Sequence, residues 1–204
     1  MPRTQALQDW ITQLFPGQAP DLAPASADAS FRRYFRITLA DGSTRVIMDA
    51  PPEHEDCRPY LQVARLLDDA GVHVPRVFAE DLQQGFLLLS DLGNTTYLDA
   101  LKAHPDSAPA LYREASAALV TLQKASRPGV LPEYDRALLS RELQLFPDWY
   151  IARHLGITLS ETQQAALTGV FEKILANNLA QPKVFVHRDY HSRNLMVTAH
   201  NNPG

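Results

Sequence analysis

The spacing of apolar and polar positions changes character along the chain. Leu7, Trp10, Ile11, Leu14 and Phe15 recur at helical spacing and stop at Pro16-Gly17, which predicts a short amphipathic helix. Gln18 to Ser26, rich in Pro and Ala and poor in charge, reads as a connector. Phe31, Tyr34, Phe35, Ile37 and Leu39 then form an aromatic and β-branched run. Asp41-Gly42 follows as a hairpin turn before Arg45-Val46-Ile47-Met48, so two antiparallel strands are expected. Tyr60, Val63, Ala64, Leu66 and Leu67 return to helical spacing until Gly71. Val74 to Ala79 and Phe86 to Ser90 read as two further strands joined by the polar turn Asp81 to Gly85. After its initial helix, the first part of the chain therefore reads β-β-α-β-β.

Beyond Gly93 the period is helical. Leu111, Ala115, Ala118, Leu119 and Leu122 form one stripe, and Leu138 to His154 and Thr162 to Leu179 carry similar patterns. Ser160 and Gln163 stand at capping-box spacing for the last of these. The expectation is an α+β chain divided near Asp91-Leu92-Gly93, with a sheet-rich lobe over 1–92 and a helical lobe over 93–204.

Composition removes several classes. With 45% hydrophobic and 21% charged residues, the 204-residue chain has the usage of a globular protein. Its net charge of -4 gives no general attraction to nucleic acid or anionic lipid, so neither is expected as a partner, and no obligate protein partner is signalled. The single cysteine, Cys57, forms no intrachain disulfide and fits a reducing compartment, the cytoplasm. Met1 to Phe15 mixes Arg3, Gln5, Gln8 and Asp9 among its apolar residues and lacks the continuous apolar core of a signal peptide. No apolar stretch approaches the ~20 residues needed to cross a bilayer. The nine glycines are never closer than Gly85 and Gly93, which excludes G-x-G-x-x-G, the Walker loop and the G-x-S-x-G elbow.

One stretch carries chemistry. Val184-Phe185-Val186 leads into His187-Arg188-Asp189-Tyr190-His191-Ser192-Arg193-Asn194, and Leu195-Met196-Val197 leads out. This is the H-x-D-x-x-x-x-N pattern of kinase catalytic loops. In that pattern Asp189 accepts the proton of the attacking hydroxyl and orients its oxygen, while Asn194 offers a neutral carbonyl oxygen to a hard divalent cation. A loop clamped between two strands would hold both groups. His187, at the loop entrance, reads as a scaffold that hydrogen-bonds the loop.

With these motifs the whole chain resembles the aminoglycoside phosphotransferase family, whose fold is similar to that of protein kinases. Within it, Ala29-Ser30-Phe31-Arg32-Arg33-Tyr34-Phe35-Arg36, Val46-Ile47-Met48-Asp49-Ala50-Pro51-Pro52, Ser90-Asp91-Leu92-Gly93 and the loop from His187 to Met196 resemble the bacterial amino-sugar anomeric kinases of cell-wall recycling. The resemblance implies ATP and Mg2+, and transfer of phosphate to the anomeric hydroxyl of N-acetylmuramate or N-acetylglucosamine. Kinases of another acceptor, such as an aminoglycoside or choline, and a nucleotide-binding pseudokinase remain the alternatives. Backbone groups of Ser90, Asp91 and Leu92 would meet the nucleotide base at the hinge.

Two departures from the kinase pattern matter. Met48 stands where the third strand usually carries a phosphate-pairing lysine, so Arg32, Arg33 or Arg36 would have to supply the cation, aided by Ser30. The second metal-binding aspartate follows the catalytic loop in kinases, and its position would lie beyond Gly204. The chain is thus expected to be part of a longer enzyme and to transfer no phosphate alone. His191 and Arg193 are candidates to stabilise the transferred phosphoryl group. Asp148, Trp149 and Tyr150 fall in a helical region expected to face the cleft. Trp149 and Tyr150 are candidate sugar-stacking residues, with core packing as the readier explanation. Glu53, His54, Glu55 and Asp56 read as the charge complement of the helix that follows.

Overall fold

A computed structural model describes residues 3–27, 31–199 and 203–204. Its contacts gather into two compact units, Met1–Leu122 with Asp189–Gly204, and Gln123–Arg188.

The first unit is built on a five-stranded antiparallel sheet with strand order β1-β2-β3-β5-β4, formed by β1 (Ala23–Ala27), β2 (Arg33–Thr38), β3 (Thr44–Asp49), β4 (Val77–Asp81) and β5 (Phe86–Ser90). The β2–β3 hairpin closes at the expected turn, where Gly42 takes φ of 81° and Ser43 N–H donates to Asp41 Oδ1 at 2.9 Å. The connector before β2 corrects the sequence reading, because Ala23–Ala27 pairs with β2 as an edge strand. Pro24 is tolerated there because an edge strand leaves one row of its backbone groups outside the ladder.

Alternation along the strands assigns each face of the sheet a helix. On one face, α1 (Arg3–Leu14) buries Leu7, Trp10 and Ile11 against Ile37, Ile47, Phe86 and Leu88. Fully burying a side chain of this size stabilises by roughly 1.5–3 kcal/mol, so this layer is a principal anchor of the sheet. On the other face, α2 (Arg58–Asp69) sets Leu61 in a cluster with Met48, Ala50, Cys57, Leu87 and Leu89. Gly85 lets β5 and β3 approach closely. Its φ is +71°, and a Cβ there would lie 1.9 Å from the Ala50 carbonyl oxygen.

Two helices complete this unit, α3 (Tyr97–Ala103) and α4 (Ala108–Lys124), the latter running on into the second unit. The sequence reading did not resolve α3, although Thr96 caps it by accepting from Asp99 N–H at 3.1 Å. Tyr97, Leu111, Ala115 and Leu195 form a third buried cluster, which ties the segment after Asp189 to these helices.

The second unit contains α5 (Arg136–Leu145), a π-helical stretch (Phe146–His154) and α6 (Glu161–Leu179). The capping box of α6 forms as read, with Ser160 and Gln163 bonding reciprocally. The helix expected over 138–154 changes register at Pro147, which has no N–H to continue the α ladder, and Leu155 N–H closes on Tyr150 O, five residues back.

Candidate active site

The loop that carries the H-x-D-x-x-x-x-N motif is held at its descending limb by main-chain bonds to the start of α3. Tyr97 N–H donates to Leu195 O at 2.8 Å, Leu98 N–H to Ser192 O at 2.9 Å, and Val197 N–H to Thr95 O at 2.8 Å. Met196 exchanges two backbone bonds with Gly204, at 2.7 and 3.0 Å. The Tyr190 hydroxyl donates to Ala115 O at 2.7 Å, and burial raises its pKa. Thr95 to Leu98, which sequence reasoning passed over, and Ala115, read only as part of a helix stripe, therefore fix the loop. For Thr95 to Leu98 the only local signal was the Thr96-x-x-Asp99 cap.

The strands expected on either side of the loop are not formed among the described residues; an isolated bridge between Thr96 and Met196 is what remains of them. Val184 and Val186 are exposed while Phe185 is buried, and Phe185 N–H donates to Ser126 Oγ at 2.7 Å. An apolar run becomes a strand only where a neighbouring strand takes up its ladder bonds, and here a serine side chain takes one instead.

At the centre, Asn194 Nδ2 donates to Asp189 Oδ2 at 2.6 Å and to Asp189 O at 3.1 Å. Two acceptors on the nitrogen side fix which way the amide points, leaving Asn194 Oδ1 without a donor among the described residues. His191 Nε2 lies 2.9 Å from Asp189 Oδ1, and its Nδ1 accepts from Arg193 N–H at 3.2 Å. Both ring nitrogens of the candidate phosphate-stabilising His191 are thus engaged within the loop. The carboxylate itself is open, with the Asp189 side chain 70% exposed. Asn194 and Arg193 are exposed beside it. Among the described residues, no group of three His, Cys, Asp or Glu side chains gathers to hold a metal. The free oxygen of Asn194 is a hard donor of the kind magnesium takes.

The residue before Asp189 is strained. Arg188 has φ of 72°, the left-handed region that costs a non-glycine residue free energy, and such geometry is commonest at functional sites. Its guanidinium donates to Glu142 Oε1 at 2.7 Å within the second unit. His187 is exposed in that same unit.

The sheet separates the three candidate arginines. Arg33 lies on the α1 face, where it bonds to the fully buried Asp49, whose other oxygen takes Arg3 Nε at 2.6 Å. By strand alternation Arg36 lies on the opposite face, that of Met48. Met48 is fully buried among apolar side chains, and Leu61 of α2 shares its cluster, so hydrophobic packing occupies this part of the sheet. Arg36 grips Asp91 through both oxygens, at 2.5 and 2.9 Å, and Gly93 N–H adds a bond at 3.0 Å. Burial alone would raise the Asp91 carboxyl, but bonds from Arg36, Gly93 and Thr44 outweigh it and hold the pKa below the ordinary 3.8. Arg32 donates to Glu55 at 3.2 Å. Phe31 stacks on His54 with centroids 4.4 Å apart, so the run 53–56 braces the approach to β2. Ser30 lies outside the described residues.

Of the residues expected at a hinge, Ser90 is tied to Arg76, just ahead of β4, its N–H donating to Arg76 O and its Oγ accepting from Arg76 N–H. The Leu92 backbone makes no hydrogen bond among the described residues. Trp149 and Tyr150 lie on the π-helical stretch of the second unit and are 57% and 50% exposed, so core packing does not account for them there. Arg153 covers the Trp149 ring at 4.2 Å, and Tyr150 stacks between Phe146 and His154.

Comparison with known proteins gives the family and the fold. The chain is 53% identical to an N-acetylmuramate/N-acetylglucosamine kinase of Pseudomonas aeruginosa, across 99% of this chain and 62% of that protein. Proteins of the same name from Pseudomonas putida and Neisseria meningitidis serogroup B are 50% and 49% identical, across 92% and 97% of this chain and 55% and 59% of theirs. The chain thus spans about three fifths of the length of these relatives. The fold is also that of aminoglycoside phosphotransferase APH(2'')-Ib with ADP bound, at a TM-score of 0.65 and 14% identity over 97% of this chain and 67% of that one. A ternary complex of APH(2'')-IIa with streptomycin and ATP gives 0.62 at 13% identity, with the same coverage of both chains. The phosphotransferase enzyme family matches residues 21–204, nine tenths of the sequence, and the chain belongs to that family.

Proposed function

We propose that this chain carries the nucleotide-binding and catalytic-loop part of a kinase that transfers the γ-phosphoryl group of ATP to the anomeric hydroxyl of N-acetylmuramate or N-acetylglucosamine. The products are the sugar 1-phosphate and ADP. The observation that carries the reading is the Asp189–Asn194 pair, 2.6 Å apart in an H-x-D-x-x-x-x-N loop, in a chain half identical to kinases named for these sugars. Asp189 accepts the hydroxyl proton as the oxygen attacks phosphorus, and its bonds within the loop fix the line of attack. Asn194 presents Oδ1 to magnesium, which when bound neutralises charge on the nucleotide phosphates. The Leu92 backbone is open to the adenine edge. Arg32, with Ser30 before it, and Arg36 on the Met48 face are the cations assigned to the phosphates, for which they exchange their carboxylate partners Glu55 and Asp91; Arg33 lies on the opposite face, that of α1, and is not assigned to them. Trp149 offers a sugar the indole face away from Arg153, and Tyr150, its ring stacked between Phe146 and His154, offers its edge.

The single cysteine supports the cytoplasm as the compartment, and among the described residues no helix is long and apolar enough to cross a membrane. The test is to incubate the full-length protein with N-acetylmuramate, ATP and magnesium. Sugar 1-phosphate is the expected product, and no turnover on any amino sugar refutes the acceptor. A second reading, nucleotide binding without transfer, draws on the wholly buried Met48 at the lysine position. Loss of turnover with retained nucleotide binding in Asp189→Asn separates the enzyme from that alternative.

A further inference from the structure

A carboxylate held at one oxygen by one donor still turns about its terminal torsion, which for Asp is broad. Asp189 is held at both oxygens, by Asn194 on Oδ2 and by His191 on Oδ1. The imidazole is 46% exposed, so burial does not fix its orientation. A main-chain bond does: Arg193 N–H donates to Nδ1 at 3.2 Å. With Nδ1 accepting, the neutral ring carries its proton on Nε2, and that N–H points at Asp189 Oδ1. The Asn194 N–H bond to His191 O, 2.9 Å, closes the turn that brings all three residues together.

We propose that His191 is a positioning residue. Its Nε2–H sets the plane of the Asp189 carboxylate, and the Arg193 backbone N–H sets the ring's tautomer. The inference rests on the reading of Asp189 as the group that accepts the hydroxyl proton. It differs from a phosphate-binding role, because both ring nitrogens are spent inside the loop. Neutral donors leave the carboxylate its charge and its remaining lone pairs, as a proton acceptor requires.

The two nitrogens are separable by substitution. The amide nitrogen of Gln reaches about where Nε2 stands, whereas the amide oxygen of Asn reaches about where Nδ1 stands. If His191 positions Asp189, His191→Gln in the full-length protein keeps kcat within about tenfold, whereas His191→Asn loses about 100-fold in kcat. KM for nucleotide and sugar stays within about twofold in both. The opposite order, equal activities, or a loss carried by KM overturns the proposal. If the parent itself turns over no amino sugar, the acceptor reading fails, and ring-nitrogen NMR of this 204-residue chain decides the present inference. An Nε2–H tautomer whose resonance moves in Asp189→Asn supports it. An Nδ1–H tautomer, or a resonance indifferent to Asp189→Asn, overturns it.

Discussion

Two aspartates of the first unit are built on the same plan and serve opposite ends. Asp49 and Asp189 each receive one partner on each carboxylate oxygen. Asp49 is fully buried and its partners are the cations Arg3 and Arg33, so α1, β2 and β3 are joined by a charge-compensated knot. Asp189 is 70% exposed, and its partners are an amide and an imidazole. Burial makes the first carboxylate costly to leave unpaired, and charged partners offset that cost. Exposure leaves the second accessible, with a bond at each oxygen to orient it. Burial and cationic partners suit the first to joining elements, whereas the role proposed for the second needs an oxygen that can be reached.

The comparison can be broken most severely at the open carboxylate. Asp189→Asn is expected to lower kcat of the full-length enzyme by about 10³-fold, the scale of a lost general base. Its unfolding midpoint should shift by no more than an exposed substitution does, about 0.5 kcal/mol. Chemical denaturation beside a phosphate-transfer assay reads both, and a large stability loss would contradict the division of labour. Asp49→Ala should behave in reverse. Removing the buried carboxylate takes away its charged hydrogen bonds but leaves partly exposed arginines that can turn to water, so about 1–3 kcal/mol is lost and the urea midpoint falls while turnover per folded molecule is kept. A variant as stable as the parent would show that the knot contributes nothing.

The Asp91–Arg36 pair lies between these extremes and sharpens the contrast through pH. Its carboxyl titrates below the ordinary 3.8, so its contribution is fully present above that value and is lost as the pH falls through the lower folded value. Stability of the parent minus that of Asp91→Asn should be constant in neutral and mildly acid solution and shrink below about pH 4. A difference that grows on acidification would contradict the sign. The smallest effect is expected at Tyr97, whose fully buried hydroxyl finds no partner among the described residues, and whose pKa burial pushes up to about 12. Tyr97→Phe removes that unpaired group and should leave the thermal midpoint unchanged or raise stability by about 1 kcal/mol. Marked destabilisation would mean that the hydroxyl has a partner after all.

Local chemistry made much of this legible. Asp41-Gly42 fixed the hairpin because its turn needs a positive φ that Gly42 supplies, and Ser160 with Gln163 marked the start of α6 because each satisfies a backbone group at the helix end. The H-x-D-x-x-x-x-N spacing located Asp189 and Asn194, which the loop brings within 2.6 Å. The edge strand β1 was not legible, since Pro and Ala carry no strand pattern and become one only through pairing with β2. Val184 to Val186 erred the other way, an apolar run with no ladder to join. Among the loop residues, His191 and Arg193 resembled phosphate ligands in sequence. What the sequence did not show is that the turn closed by Asn194 N–H and His191 O sets one ring nitrogen of His191 2.9 Å from Asp189 Oδ1.

By itself, then, the sequence determined what depends on neighbours in the chain: turns, caps, helix stripes and the spacing of a loop motif. Only the tertiary structure decided which arginine shares a face with Met48, which carboxylate is buried with cations, and what each ring nitrogen of His191 touches. Those facts depend on the path the backbone takes, as in the turn around His191, and on meetings between distant residues, as with Arg3 and Asp49, and no local period encodes either.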